Sequence, residues 1–205
     1  MKTIKQIIKE SIKEYLNEEE FNLKNYNILY HSTDSDFFNT INYDNAKKGE
    51  RFFNPLGNGM YFSTNKNFTR KFGKNTYYYL LPKNAKVKKI TFKSWTESNY
   101  QNILKLVLKR YKIDYWNDLD SGQKVQLMRL ANDAPISSLN NLQYVLTHDY
   151  NLPNVQETIE DIVDKINAKY DAVWYKDTDY YEEADEILIP KLSFKKELFF
   201  QELPK

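Results

Sequence analysis

The chain contains no cysteine, which excludes a disulfide framework, a thiolate nucleophile and a cysteine-ligated metal. Histidine is nearly as scarce. His31 and His148 are the only two, so a histidine-rich metal centre is excluded as well. No apolar run approaches the ~20 residues that a membrane-spanning helix requires, so no transmembrane segment is expected. A secretory leader is not readable either, because the apolar residues near the start are interspersed with charge. Acid is missing altogether between Lys66 and Lys93, a stretch that holds nine cations. Such a stretch suits phosphates, although a solvated lysine surface is the commoner explanation.

What is present describes a folded domain. With 205 residues, 41% hydrophobic and 16% aromatic, the chain can bury one sizeable core and is too short for two large domains. The net charge of +2 hides an asymmetry: residues 1–112 carry 21 Lys/Arg against 10 Asp/Glu, whereas residues 113–205 carry 9 against 18. Lysine outnumbers arginine 26 to 4 and asparagine occurs 22 times. An AT-rich coding sequence produces the same bias, so the lysines alone say little about function.

Ile4, Ile7, Ile8, Ile12, Tyr15 and Leu16 recur at helical spacing, with Lys5, Lys9, Lys13 and Glu14 on the other face. This predicts an amphipathic helix over 1–22, packed on the domain or serving as a docking helix for a partner or a membrane surface. From Tyr26 the pattern changes to short β-type runs: 27–32, 60–63, 75–81 and 87–92. The middle is helical by periodicity, over 100–111, 122–131 and 155–169. Two late runs, 172–175 and 186–189, again read as strands, separated by the acidic segment Asp177 to Asp185. Strand-rich ends around a helical middle predict an α+β fold.

Several familiar motifs fail on inspection. Asp177-Thr178-Asp179 begins like a calcium loop, but Glu182 and Leu188 occupy the positions that need glycine and a bidentate acid. Gly57-Asn58-Gly59 has no surrounding βαβ unit and no phosphate-loop lysine. A Ser-His-Asp triad can be drawn through either histidine, as in almost any chain of this length.

Three pieces remain: Tyr30-His31-Ser32-Thr33 at a strand end, Gly57-Asn58-Gly59-Met60-Tyr61-Phe62-Ser63, and Glu186-Ile187-Leu188-Ile189. Singly, each has a plain structural explanation: a hydrogen-bonded histidine, core aromatics, an exposed strand start. In this order they resemble the ADP-ribosyltransferases of the histidine–tyrosine–glutamate class, which includes diphtheria-toxin-like and poly(ADP-ribose)-polymerase-like catalytic domains. The family pattern is a strand ending in His-Gly-Thr or His-Gly-Ser, a Gly-x-Gly-x-Tyr-Phe strand, and a late strand beginning with Glu. His31, Tyr61 and Glu186 match these elements, over about 26–92 and 170–200. Ser32 departs from the family's glycine, and Phe72 stands where a second tyrosine is usual.

The resemblance implies two bent, mostly antiparallel sheets around an NAD cleft. The N-terminal helix at 1–22 would be followed by a catalytic domain over 23–205 with a helical insertion at about 95–168. His31, Tyr61 and Glu186 would be catalytic. NAD would be contacted by His31, Ser32, Thr33, Gly57, Gly59, Tyr61, Ser63, Thr69 and Phe72, with the ring of nicotinamide between Tyr61 and Phe72 and its carboxamide at Ser32 and Thr69. The implied activity is mono-ADP-ribosylation of a macromolecule, consuming NAD and releasing nicotinamide without a metal. A protein acceptor is favoured over nucleic acid held by the Lys66–Lys93 stretch. The alternatives are an NAD glycohydrolase toxin and a non-catalytic NAD- or ADP-ribose-binding module. The expected setting is the cytoplasm, or a host cell entered without a cleaved leader, as for a toxin or a phage effector.

Overall fold

The computed structural model describes residues 23–34, 56–176 and 185–201. The expected helix over 1–22 and most of the acidic segment 177–185 lie outside the described residues. The seven strands are β1 (Tyr26–Thr33), β2 (Gly59–Phe62), β3 (Asn75–Pro82), β4 (Val87–Thr91), β5 (Ala172–Lys176), β6 (Glu186–Pro190) and β7 (Phe199–Gln201). The helices are α1 (Lys66–Thr69), α2 (Phe92–Ser94), α3 (Tyr100–Arg110), α4 (Ser121–Arg129), α5 (Pro135–His148) and α6 (Val155–Asn167). The class is therefore α+β, as the periodicities predict.

The strands form two sheets. The first, β1-β3-β7, is antiparallel throughout; the second, β2-β6-β5-β4, is antiparallel except for the parallel pair β4–β5. β3 is central in its sheet and buried along nearly its whole length, which explains its unbroken run Thr76-Tyr77-Tyr78-Tyr79-Leu80-Leu81 where a half-exposed strand would alternate.

Side-chain alternation on the second sheet divides the core in two. Met60, Phe62, Ile187, Ile189 and Ala172 pack with Leu29, Tyr77 and Tyr79 between the sheets. The opposite face presents Tyr61, Leu188, Val173 and Tyr175 to the helices. The order of layers is thus sheet, sheet, helices.

The helical layer closes around Leu104, Val107, Leu108, Leu139, Leu142, Ile159 and Val163. Two of its buried polar groups pair within the layer, Trp95 Nε1 donating to Ser138 Oγ (3.0 Å) and the Tyr100 hydroxyl to the Leu127 carbonyl (2.7 Å), whereas the buried Tyr150 hydroxyl has no hydrogen-bond partner among the described residues. α5 is the helix that periodicity does not announce. Pro135 at its first position starts it, as proline does without losing a helical hydrogen bond, and Leu139, Leu142, Val145 and Leu146 bury one face. Ser137-Ser138 and Asn140-Asn141 dilute that signal in the sequence. None of the described helices is long and apolar enough to cross a membrane.

Candidate functional site

Besides packing face to face, the two sheets are joined, among the described residues, by one backbone bridge. Tyr30 N donates to Ser63 O (2.8 Å) and Ser63 N to Tyr30 O (2.9 Å), joining the end of β1 to the residue just after β2. On the far side of β2, Phe62 pairs with Ile187 and Tyr61 with Leu188, so the start of β6 lies beside Ser63. On the next strand Glu186 faces Tyr175. The end of β1, the end of β2 and the beginning of β6 therefore meet, which brings the backbone positions of His31, Tyr61 and Glu186 together; the Tyr61 ring faces the helical layer, while the His31 ring packs on Phe62 from the side between the sheets.

Each of these side chains has a defined setting. His31 Nδ1 lies 2.8 Å from the Tyr61 carbonyl oxygen. A carbonyl only accepts, so Nδ1 carries the proton and Nε2 is the acceptor nitrogen of the neutral ring. Burial holds the His31 pKa below its ordinary value, partly offset by that hydrogen bond, which keeps the ring neutral near pH 7. Its edge packs on Phe62, 5.8 Å between centroids. The Tyr61 hydroxyl donates to the Gly57 carbonyl (3.0 Å). Burial pushes its pKa well up, and the negative charge available at Tyr175, Glu186, Asp164 and Glu160 adds to the effect. Tyr61 is thus a protonated donor sharing a field with Glu186, itself half-buried.

A hydroxyl cluster supports the end of β1. Ser32 Oγ donates to Thr69 Oγ1 (3.1 Å) and lies 3.1 Å from Thr76 Oγ1, while Thr69 Oγ1 donates to the Lys66 carbonyl (2.9 Å). Ser32, Thr69 and Thr76 are all buried, and satisfied hydroxyls hold position where unsatisfied ones would be costly. The turn after α1 is pressed onto the same strand end. A Cβ at Gly73 would overlap the Thr33–Asp34 backbone, so only glycine permits that approach. Phe72, immediately before it, is 61% exposed and packs edge-on against Phe68, 5.3 Å between centroids. The structure therefore joins Ser32 to Thr69 and brings the Phe72 turn to Thr33, but among the described residues Phe72 makes no ring contact with Tyr61.

The glycine loop is held from the helical side. Asn58 N donates to Asp164 Oδ1 (2.5 Å), Asn58 Nδ2 donates to Asp164 Oδ2, and Asn167 Nδ2 donates to the Leu56 carbonyl (3.0 Å). Gly57 has φ 111°, a left-handed conformation that a side chain would strain. A Cβ at Gly59 would run into the Ile189 carbonyl. The close approaches at these glycines are thus to α6 and β6. Ser63 Oγ accepts the Asn65 amide (3.0 Å) and shapes the turn into α1.

Asp164, Asn167, Thr76 and Tyr175 are the site residues that sequence reasoning missed. Asn167 was legible in principle. It follows Val155, Ile159 and Val163 at four-residue spacing and is the polar member of that buried stripe. Asp164 gave no comparable signal, because an acid on an exposed helix flank is ordinary.

No protein-family model, curated protein or solved structure matches the chain. The reading of the site therefore rests on its residues and their geometry.

Proposed function

We propose that this protein is an NAD-dependent mono-ADP-ribosyltransferase with the ADP-ribosyltransferase fold. The observation that carries the reading is that the strand positions of His31, Tyr61 and Glu186, far apart in sequence, come together beside the bridge between the ends of β1 and β2. The contact between Ser32 and Thr69 adds to it, because the resemblance pairs those two residues on one ligand group.

In this reading the neutral His31 accepts a hydrogen bond from a ribose hydroxyl through Nε2 and fixes the shape of bound NAD. The Tyr61 ring stacks on nicotinamide, with Phe72 supplying the second face from the exposed turn; such stacking adds about 0.5–1.5 kcal/mol beyond burial. The bond between the nicotinamide nitrogen and ribose C1′ breaks with its electron pair leaving on nicotinamide, which becomes neutral. Positive charge then develops on the ribosyl carbon as in glycoside cleavage. The Glu186 carboxylate stabilises that charge and polarises the acceptor nucleophile, which bonds to C1′ and releases its proton.

The test uses NAD labelled in its adenylate half, incubated with cell lysate and either wild type or Glu186→Gln. Label entering macromolecules only with wild type is the expected result, and its release by protease or by nuclease identifies the acceptor class. Free ADP-ribose alone replaces transfer by NAD hydrolysis. NAD binding without turnover reduces the site to a binding module.

A further inference from the structure

A second site lies on the helical layer, at the far end of α3. There a groove of about 460 Å³ is lined by Lys105, Lys109, Lys112, Tyr115 and Trp116 over a floor of Leu108 and Ile113. We propose that it binds single-stranded nucleic acid, with a base stacked on Trp116 and phosphates on the three lysines. The proposal does not depend on the NAD chemistry.

Trp116 is the first reason. It is 70% exposed, although indole is among the side chains most rewarded by burial. It is also held in place: Tyr115 meets it edge-on at 5.1 Å and 89°, Lys124 Nζ stands 5.8 Å from its ring centroid, and the same ammonium donates to the Trp116 carbonyl (2.8 Å). A fixed, exposed aromatic face beside cations is the platform on which unpaired bases stack.

The lysines are the second reason. Lys105, Lys109 and Lys112 recur along one side of the helix end over about 10 Å, close enough together to meet neighbouring phosphates of one strand. They form no ion pair among the described residues. The one acid lining the groove is turned to its own loop, Asp114 Oδ1 accepting the amides of Trp116 (2.8 Å) and Asn117 (3.0 Å).

Lys112 is the third. α3 ends with the Lys112 amide donating to Lys109 O and the Ile113 amide to Leu108 O, each at 3.0 Å, the closure in which glycine normally takes the left-handed position. Lys112 holds φ 59° there; the other non-glycine residues of positive φ among the described residues are Asn151 and Asn154, and asparagine tolerates that conformation. A lysine kept where glycine is cheaper points to a use for its side chain. Lysine beside an exposed indole selects a ligand that is both anionic and flat, which a polynucleotide is and an acidic peptide is not.

The test is fluorescence anisotropy with fluorescein-labelled 12-mers of thymidylate and of uridylate, at 50 mM and 200 mM salt. Wild type should bind one or both, more weakly at the higher salt. Trp116→Ala should weaken binding about 10-fold, with Trp116→Phe in between. Lys112→Gly should lower the log–log salt slope by about 0.7 while raising Tm by about 2 °C, so lost affinity cannot be blamed on a damaged fold. Absence of wild-type binding at 50 mM salt overturns the proposal. So does binding that none of these variants alters, or polyglutamate or anionic vesicles occupying the groove as well as the oligonucleotides do.

Discussion

The strand junction and the helical layer are built from different materials. Of the buried polar residues, Ser32, Ser63, Thr69 and Thr76 lie at the junction, while the helical side contributes Ser138 and Asn167. Burying hydroxyls stabilises little and demands partners for every one. A region that concentrates them is specified for position, whereas one filled by Leu104, Leu108, Leu139, Leu142 and Ile159 is specified for stability. The difference teaches where to look for chemistry. It also isolates the connection between the regions, since Asp164 and Asn167 reach from α6 to grip the loop that leads into Tyr61.

That contrast can be broken at several points. Leu142→Ala, deep in the helical layer, should destabilise by about 2–5 kcal/mol in denaturant unfolding while leaving turnover per folded molecule unchanged. Asp164→Ala removes charge-assisted bonds worth about 1.5–3 kcal/mol and should also raise KM for NAD, because the loop before Tyr61 loses its anchor. An effect on stability without KM would separate the loop from the site. Tyr61→Phe keeps the ring and deletes one hydrogen bond, for a loss of about 1 kcal/mol. It should retain most NAD binding, measured by calorimetry, where Tyr61→Ala loses it.

The smallest effect is a pH dependence. Burial lowers the His31 pKa in the folded state below its ordinary 6.5, so the unfolded chain binds more protons just below that pH. Stability is fully present above about pH 6.5 and is lost as pH falls through the folded value. Urea midpoints measured on either side of pH 6.5 should show this fall in wild type and less of it in His31→Gln.

Much of this was legible in the sequence. β1, β3, β4, β5 and β6, and helices α3, α4 and α6, lie where the local apolar patterns place them: β3 carries a continuous buried run and α3 and α6 repeating apolar stripes, while β4 and α4 each bury one residue, Ile90 and Leu127. β7 is too short for any pattern to show, and α5 is diluted by serine and asparagine. His31, Tyr61 and Glu186 could be chosen from motif order. What no local pattern contains is the bridge between Tyr30 and Ser63, or the hydroxyl contact between Ser32 and Thr69, since both depend on how separate elements meet. The role of Gly57 and Gly59 likewise needed the fold, which seats them against Asp164 and Ile189.

The central claim is that the junction breaks the nicotinamide–ribose bond, and nicotinamide release from NAD measures that directly. Wild type and Glu186→Gln would be compared at matched folded concentration, confirmed by equal Tm. The account predicts release by wild type and a loss of about 10²-fold or more in the variant, the scale of removing a preorganised charge-stabilising group. Equal release by both proteins would contradict it, and so would NAD left intact by wild type in the presence of lysate.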